Sequence, residues 1–371
     1  MLKLETFIQS VIQRGIVPGF SILVGQSDSP RFQHHYGWKS LFPQKEPVQD
    51  NTLYDLASLT KPLITALLTL YLVEQKAVTL ETEVKTLFPH LGKFGTMNVL
   101  HLLTHTSGLP GWYPLYLFGD DYLKRFTYIH LKSRPGQQVV YSCPGYILLY
   151  YILQKVSGVP FHTLAQQVIF DSLGLKDTFL TVPESLRHRA APTEQGNHHE
   201  RKNAVAWLNS REGRFFWPLY QSFRWREDII QGETHDLYSH YRGGTAGNAG
   251  LFSTTSDLFR LSREFFPRSA TILSPETLQW CWKNLTPFKR SHRTVGFKRN
   301  SSFVTSGGRA FSRHAIGHNG FTGPSIWLDT NEITQQDTTV ILLTNLIHPE
   351  VKTVRFDRIR RKLHRLLLTE L

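Results

Sequence analysis

Cysteine is scarce in this chain of 371 residues, which holds only Cys143 and Cys281. Two thiols cannot build a disulfide framework, and neither stands in a metal-ligand spacing, so no staple and no metal site is expected. Long apolar runs are lacking too. The stretch 63–73 is apolar, but it is bounded by Lys61 and Glu74 and falls short of the roughly 18 residues of a membrane span, so no integral membrane segment is expected. No export signal is visible. The first residues carry Glu5 and alternate polar with apolar at helical period, unlike the unbroken apolar core of a leader. As written the chain reads as cytoplasmic, and a periplasmic or envelope location requires a leader already removed. Acidic residues are few, 29 against 42 Lys and Arg, for a net charge of +13. That balance suits an anionic partner, yet the basic residues are scattered. The dense cluster between Arg355 and Arg365 reads as the solvated face of a helix whose other face carries Val354, Ile359, Leu363 and Leu366. Nucleic acid is therefore not expected as a partner. Oligomeric state is left open.

The chain is 40% hydrophobic and 12% aromatic, enough for a large core divided into two domains. After a first helix, residues 20–24 and 32–36 read as a hairpin around the turn Ser27-Asp28-Ser29-Pro30. Helical patterns then follow at 62–74, 84–87, 99–104 and 146–156, the first almost wholly apolar and so central to the core. Residues 184–244 are rich in His, Arg, Trp and Gln without clear period. They are expected to form a long irregular segment over the surface. A helix at about 255–266 and strands at 313–318, 325–329 and 338–345 precede a last helix from 351 onward. The fold class is thus α+β: an antiparallel sheet domain from 1–56 and 245–371, flanked by the terminal helices, and an inserted mainly helical domain from 57–244. A cleft is expected where the two meet.

Ser58-Leu59-Thr60-Lys61 places a hydroxyl and an amine one helical turn apart. If burial lowers its pKa, the Lys61 amine can take the Ser58 proton and leave a nucleophile. Pro62 is tolerated only in a first turn, so the helix should begin close to Ser58. The hydroxyl then lies at a helix N-terminus, where unpaired N–H groups favour an oxyanion. By chance alone this spacing occurs in most long proteins. Tyr141 could relay a proton beside such a pair, and His318-Asn319-Gly320 closes a strand, with Gly320 allowing a substrate against its edge. Each of these, taken singly, reads more simply as packing. Gly243-Gly-Thr-Ala-Gly-Asn-Ala-Gly250 lacks the ending of a phosphate-binding loop and is expected to shape a cleft wall. The histidines at 198, 199, 235 and 240 read as solvated loop residues. No cofactor is implied.

Taken together and in this order, Ser58-x-x-Lys61, Tyr141-Ser142-Cys143 and His318-Asn319-Gly320 resemble the serine β-lactamase and penicillin-binding protein superfamily. The stretches Tyr54-Asp-Leu-Ala-Ser-Leu-Thr-Lys61, His101-Leu-Leu-Thr-His-Thr-Ser-Gly-Leu-Pro110 and Gly317-His-Asn-Gly-Phe-Thr-Gly323 extend the resemblance through nearly the whole chain. It is nearest to the branch of class C β-lactamases, D-alanyl-D-alanine carboxypeptidases and β-lactamase-fold esterases. The resemblance implies an acyl-enzyme on Ser58, acid–base work shared by Lys61 and Tyr141, and an oxyanion hole from the backbone N–H groups of Ser58 and Phe321. It also implies that His318, Asn319, Gly320 and Cys143 line the substrate site. His318 stands where class C enzymes carry Lys, and an imidazole binds a carboxylate less firmly. Cys143 stands where the family has an Asn whose amide would bond the carbonyl of the substrate's acyl side chain, and a thiol replaces it poorly. The sequence leaves the substrate open among a lactam, a D-amino-acid peptide and a small ester. The rival is a catalytically silent member that binds a peptide, a wall fragment or a partner protein.

Overall fold

The computed structural model describes residues 2–119, 121–301, 305–331 and 336–371. Its main sheet has seven strands: β1 (Gly19–Gln26), β2 (Ser29–Ser40), β3 (Glu46–Pro47), β6 (Lys298–Arg299), β7 (Ile316–Asn319), β8 (Ser325–Asn331) and β9 (Gln336–Leu343), in the order β3-β2-β1-β9-β8-β7-β6. Every neighbouring pair is antiparallel. β1 and β9 pair with Ile22 opposite Leu342 and Leu23 opposite Ile341, so the strands from the two ends of the chain meet at the centre. The hairpin and the three late strands expected from the sequence are present, each shifted by a few residues.

The pleat divides the core. Phe20, Ile22, Val24, Val340, Leu342 and Trp327 face one side, against Leu4, Ile8 and Val11 of the helix Leu2–Gln13 and Leu363 and Leu367 of the helix Phe356–Glu370. Leu23, Ile341, Leu343, Ile326 and Leu328 face the other, against the helical layer. Alternating residues thus bury both faces, which is why the centres of these strands, 20–24, 326–328 and 340–343, are mostly apolar.

A second, two-stranded ladder joins β4 (Tyr54–Asp55) to β5 (Phe252–Ser253) beneath the candidate nucleophile. From there the chain makes a 3₁₀ turn, Ala57–Leu59, a π-helical stretch, Lys61–Ala66, and an α-helix, Leu67–Glu74. The helix begins where Pro62 requires, but its first turns are alternately tight and wide. Pro62 supplies no N–H to a regular ladder. By length and composition Ala57–Glu74 could cross a membrane, but 78% of it is buried inside the protein, as in a core helix.

The expectation for 184–244 is corrected. This segment holds helical stretches at Glu184–Arg189, His198–Leu208, Trp217–Ser222 and Leu237–His240, and part of it lines the site. The helix His198–Leu208 buries only Ala204 and Leu208, so it carries almost no apolar stripe to read. Its neighbours are held by aromatic contacts instead, such as Trp207 on Phe216 with ring centroids 5.5 Å apart.

Candidate active site

Four separate elements converge on Ser58. The first is the turn that carries it. Asp55, buried at the end of β4, accepts the Ala57 N–H through Oδ1 at 2.8 Å and the His235 N–H through Oδ2 at 2.7 Å. This holds Ala57 at φ 44, a left-handed conformation unusual for a residue with a Cβ and typical of strained functional turns. Ser58 follows in the first turn, where N–H groups lack partners within the helix.

The second element is the helix Cys143–Ser157. Ser142 caps it, with Oγ accepting the Gly145 N–H at 3.1 Å and donating to the Pro110 carbonyl at 2.7 Å. The Ser142 N–H in turn donates to His105 Nδ1 at 3.1 Å, and the His105 ring lies 4.5 Å from that of Tyr141. Tyr141 and Cys143 are therefore presented on either side of a fixed cap. Burial, then the charges of Arg293 and Lys61, keep the His105 pKa well below the ordinary value, so its Nδ1 remains an acceptor.

The third element is the end of β7. A Cβ on Gly320 would meet the Leu56 carbonyl at 2.6 Å, so only glycine lets the strand end approach the nucleophile turn. Thr322 reinforces the approach by donating to the Asp55 carbonyl at 2.6 Å. The fourth is the glycine-rich stretch, which does form a cleft wall: Ala249 lines the cavity beside Ser58, and the Asn248 carbonyl accepts from Lys61 at 2.8 Å.

Lys61 is fully buried. Its Nζ donates to Ser58 Oγ at 3.0 Å and lies 3.5 Å from Cys143 Sγ and 5.1 Å from the centre of the Tyr141 ring. The amine and the hydroxyl thus meet as the spacing requires. The lowered pKa, however, is not found. Burial opposes the ammonium, but the fields of Cys143, Tyr141 and Asp236 outweigh it and hold Lys61 above its ordinary value. Burial also pushes the Cys143 thiol up.

Two cavities open on Ser58. One, of about 220 Å³, is lined by Cys143, Glu200, Asp236 and Phe321. The other, of about 300 Å³, is lined by Tyr141, Arg293, Lys298, His318 and Asn319. His318 donates its Nδ1–H to the Asn319 carbonyl, 3.0 Å away. Burial first, then Arg293 and Lys61, push its pKa well below 6.5, so it is neutral at pH 7. Asn319 turns partly away, accepting from Ser306 at 2.8 Å and donating to Asp357 at 3.3 Å. Phe321 is 44% exposed and rests on His199 and His235, with centroids 5.2 and 5.5 Å away.

Three histidines expected to be solvated are not, and one of them, His199, lines the cavity beside Ser58. His235 is buried and pairs with buried Glu194 at 2.7 Å. His240 is half-buried beside Arg226, and burial pushes it down to about 4. The sequence reading also missed Arg293, Lys298, Glu200 and Asp236. Arg293 is only 7% exposed and sits over the Tyr141 ring at 5.5 Å. Two cations, Lys61 at 5.1 Å and Arg293 at 5.5 Å from the ring centre, thus lie beside Tyr141. The run 289–299, with six basic side chains, was the available signal.

In sequence, the chain is 25% identical to the N-acetylmuramyl-L-alanine amidase of Bacillus subtilis, the match covering 93% of this chain and 81% of that one. It is 26% identical to a putative D-alanyl-D-alanine carboxypeptidase of Escherichia coli K12, over 85% of this chain and 74% of the relative. In fold it is similar to a solved class C β-lactamase with a TM-score of 0.73 at 19% identity, covering 99% of this chain and 97% of the other. The family model Beta-lactamase matches residues 4–364, and on that match the chain belongs to the β-lactamase family, a group of serine hydrolases of this fold.

Proposed function

We propose that this protein cleaves an ester or amide through an acyl-enzyme on Ser58. The observation that carries the reading is the 3.0 Å contact between Lys61 Nζ and Ser58 Oγ, made where two cavities meet. Lys61 and Tyr141 act as one acid–base pair. Lys61 is held charged, so the pair works as a base when it is one proton short, whichever atom carries the remaining proton. Ser58 Oγ bonds to the acyl carbon as its proton passes to the pair, and the carbonyl oxygen becomes an oxyanion held by the N–H groups of Ser58 and Phe321. The bond to the leaving oxygen or nitrogen then breaks, and the pair returns the proton to that atom. Water adds to the acyl carbon, gives its proton to the pair, and the Ser58–acyl bond breaks. Ser58 regains its proton as the acid departs.

The cavity beside Cys143 takes the acyl group, and the cavity beside His318 takes the leaving group. Since His318 is neutral, Arg293 supplies the charge for a substrate carboxylate. A D-amino-acid peptide, a lactam and a small carboxylated ester all meet this description. Cys143 favours acyl groups that need no amide contact. It also favours the second reading, a catalytically weak or silent binder, as does the Arg- and Trp-rich segment 184–244.

Mass spectrometry after incubation with a fluorescent penicillin and, separately, a fluorophosphonate tests the proposal. A stable adduct on Ser58 that is lost in Ser58→Ala is expected. No adduct from either probe, with p-nitrophenyl ester turnover no faster than in Ser58→Ala, overturns it.

A further inference from the structure

We infer that the leaving-group side of Ser58 continues into a cationic basin, so that the group released from the acyl-enzyme carries two or more negative charges. The inference rests on the hydrolase reading above for its direction, and on the basin itself for its chemistry.

The basin has a volume of about 630 Å³ and is lined by Lys289, Arg290, His292 and Arg299, and by Lys298, which also lines the cavity at Ser58. The two spaces therefore share a wall. Among the described residues, no carboxylate lines either one. Local backbone geometry builds the wall. Arg293 and Lys298 pair across a short antiparallel ribbon, and the Arg299 N–H donates to the His292 carbonyl at 3.1 Å. The ribbon reverses at Gly296, φ +81, where a Cβ would meet Ala66 Cβ at 2.8 Å and Pro62 Cα at 3.0 Å. Its tip is thus seated on the helix that carries Lys61. This fixes Arg293 and Lys298 toward Ser58 and leaves Arg290 and Arg299 on the basin side.

Charge at this wall is not balanced by the protein. Arg293 is 7% exposed, its Nε has no hydrogen-bond partner, and its neighbours are the rings of Tyr141 and Tyr146 and the cation Lys298. Burial and the charge of Arg293 push Lys298 down. Asp357, the acid that opposes this, is already paired with Arg360 at 2.8 Å and bonded by Asn319. Holding a guanidinium out of water without an anion is unfavourable. A ligand anion removes that cost. One carboxylate satisfies Arg293, and Lys298, Lys289 and Arg290 then remain as a row of cations leading away from the scissile bond. The fitting leaving group is an alcohol or amine that bears several carboxylate or phosphate groups.

Calorimetric titration of the full chain at fixed ionic strength tests this, using benzoate, trimesate and tripolyphosphate on wild type, Ser58→Ala and the double variant Lys289→Gln/Arg290→Gln. Trimesate is expected to bind at least tenfold tighter than benzoate to wild type and Ser58→Ala, and the gain should vanish in the double variant. Tripolyphosphate binding tighter than trimesate identifies phosphate as the preferred anion, and the reverse identifies carboxylate. Trimesate no tighter than benzoate, or an undiminished gain in the double variant, overturns the basin. The direction is tested by kcat/KM for 5-acetoxyisophthalate against its dimethyl ester, with a ratio above ten expected in wild type. A ratio near one overturns the leaving-group assignment. If neither ester is hydrolysed and Ser58 takes no probe, the hydrolase reading and that assignment fall together, while the tenfold gain in trimesate binding still upholds the basin.

Discussion

Lys61 Nζ lies 3.5 Å from Cys143 Sγ, the position at which relatives of this fold are expected to present an asparagine amide. The sulfur is a weak acceptor and its thiol a weak donor. It contacts the lysine but offers little to an acyl side chain. Cys143→Asn should therefore raise kcat/KM for lactams and N-acylated peptides by about 5- to 150-fold, the worth of one polar contact of about 1–3 kcal/mol. Small acetyl esters, which have no amide to hold, should gain less than twofold. Parallel assays on nitrocefin and p-nitrophenyl acetate read the difference, and equal gains on both substrates would count against a role in acyl recognition.

Removing the amine tests the other side of the same contact. Lys61→Met keeps the buried volume but leaves Ser58 without its acid–base partner. A fall in kcat/KM of about 10²- to 10⁴-fold is expected. Activity within fivefold of wild type would mean that Tyr141 or water does the work alone.

On the proposed reading the charge for a substrate carboxylate comes from Arg293 and not from His318. The pKa of His318 is held well below 6.5 by burial, Arg293 and Lys61, so the imidazole gains a proton only as pH falls well under 6.5. Between pH 6 and 8 it contributes no titration to kcat/KM, and His318→Gln should leave the shape of the profile unchanged over that range. Arg293→Gln, by contrast, should lower kcat/KM for a carboxylate-bearing ester at least tenfold more than for its amide. An inflection near pH 6.5 that disappears in His318→Gln would assign the charge to the histidine instead.

How much of this was legible depends on the signal each residue leaves. The first hairpin strand and the late strands show as short apolar segments between polar turns, because the centre of the sheet is buried on both faces, at 20–24 and 340–343 above all. Ser58 and Lys61 show because helical spacing alone brings them together. Arg293 does not show, because its burial depends on the ribbon turned at Gly296, and in sequence it is one basic residue among many. Glu200 and Asp236 escape notice for a related reason. The segment that carries them is held by aromatic contacts between rings such as Trp207 and Phe216, and by capping at Asp236, whose Oδ1 accepts the Ser239 N–H at 2.9 Å. Neither device has a period.

Asp55 offers a test of how the nucleophile turn is held. Asp55→Ala strips the acceptor from two buried N–H groups, those of Ala57 and His235, at about 1–3 kcal/mol each. The urea midpoint should drop accordingly, and Ser58 should lose most of its reactivity to fluorophosphonate as the strained φ at Ala57 relaxes. Asp55→Asn keeps one acceptor oxygen and should lose about half as much stability. If Asp55→Ala unfolds at the wild-type midpoint, the carboxylate is not what holds the turn.

His364, on the C-terminal helix beneath the sheet, makes the protein sensitive to acid. It is fully buried, its Nδ1 contacts the Ser306 carbonyl at 2.9 Å, and its Nε2 has no partner. Burial pushes its pKa down to about 4, with Arg360 adding to the shift and Ser306 and Asp357 opposing it. The sign follows from which state takes the proton. Above pH 6.5 the imidazole is neutral in both folded and unfolded chains, and stability is whole. As pH falls from 6.5 toward 4 the unfolded chain binds a proton that the folded chain refuses, so stability drains away by roughly 3 kcal/mol. Buried His105 and His318, both held well below 6.5, act in the same direction. His364→Gln should lower stability at pH 7.5, where a well-packed neutral ring is lost, yet flatten the decline below pH 6.5 by about one proton's worth of slope. Urea unfolding of wild type and variant at pH 7.5, 6.5, 5.5 and 4.5 measures both effects. Parallel curves for the two proteins would show that the proton is taken up elsewhere.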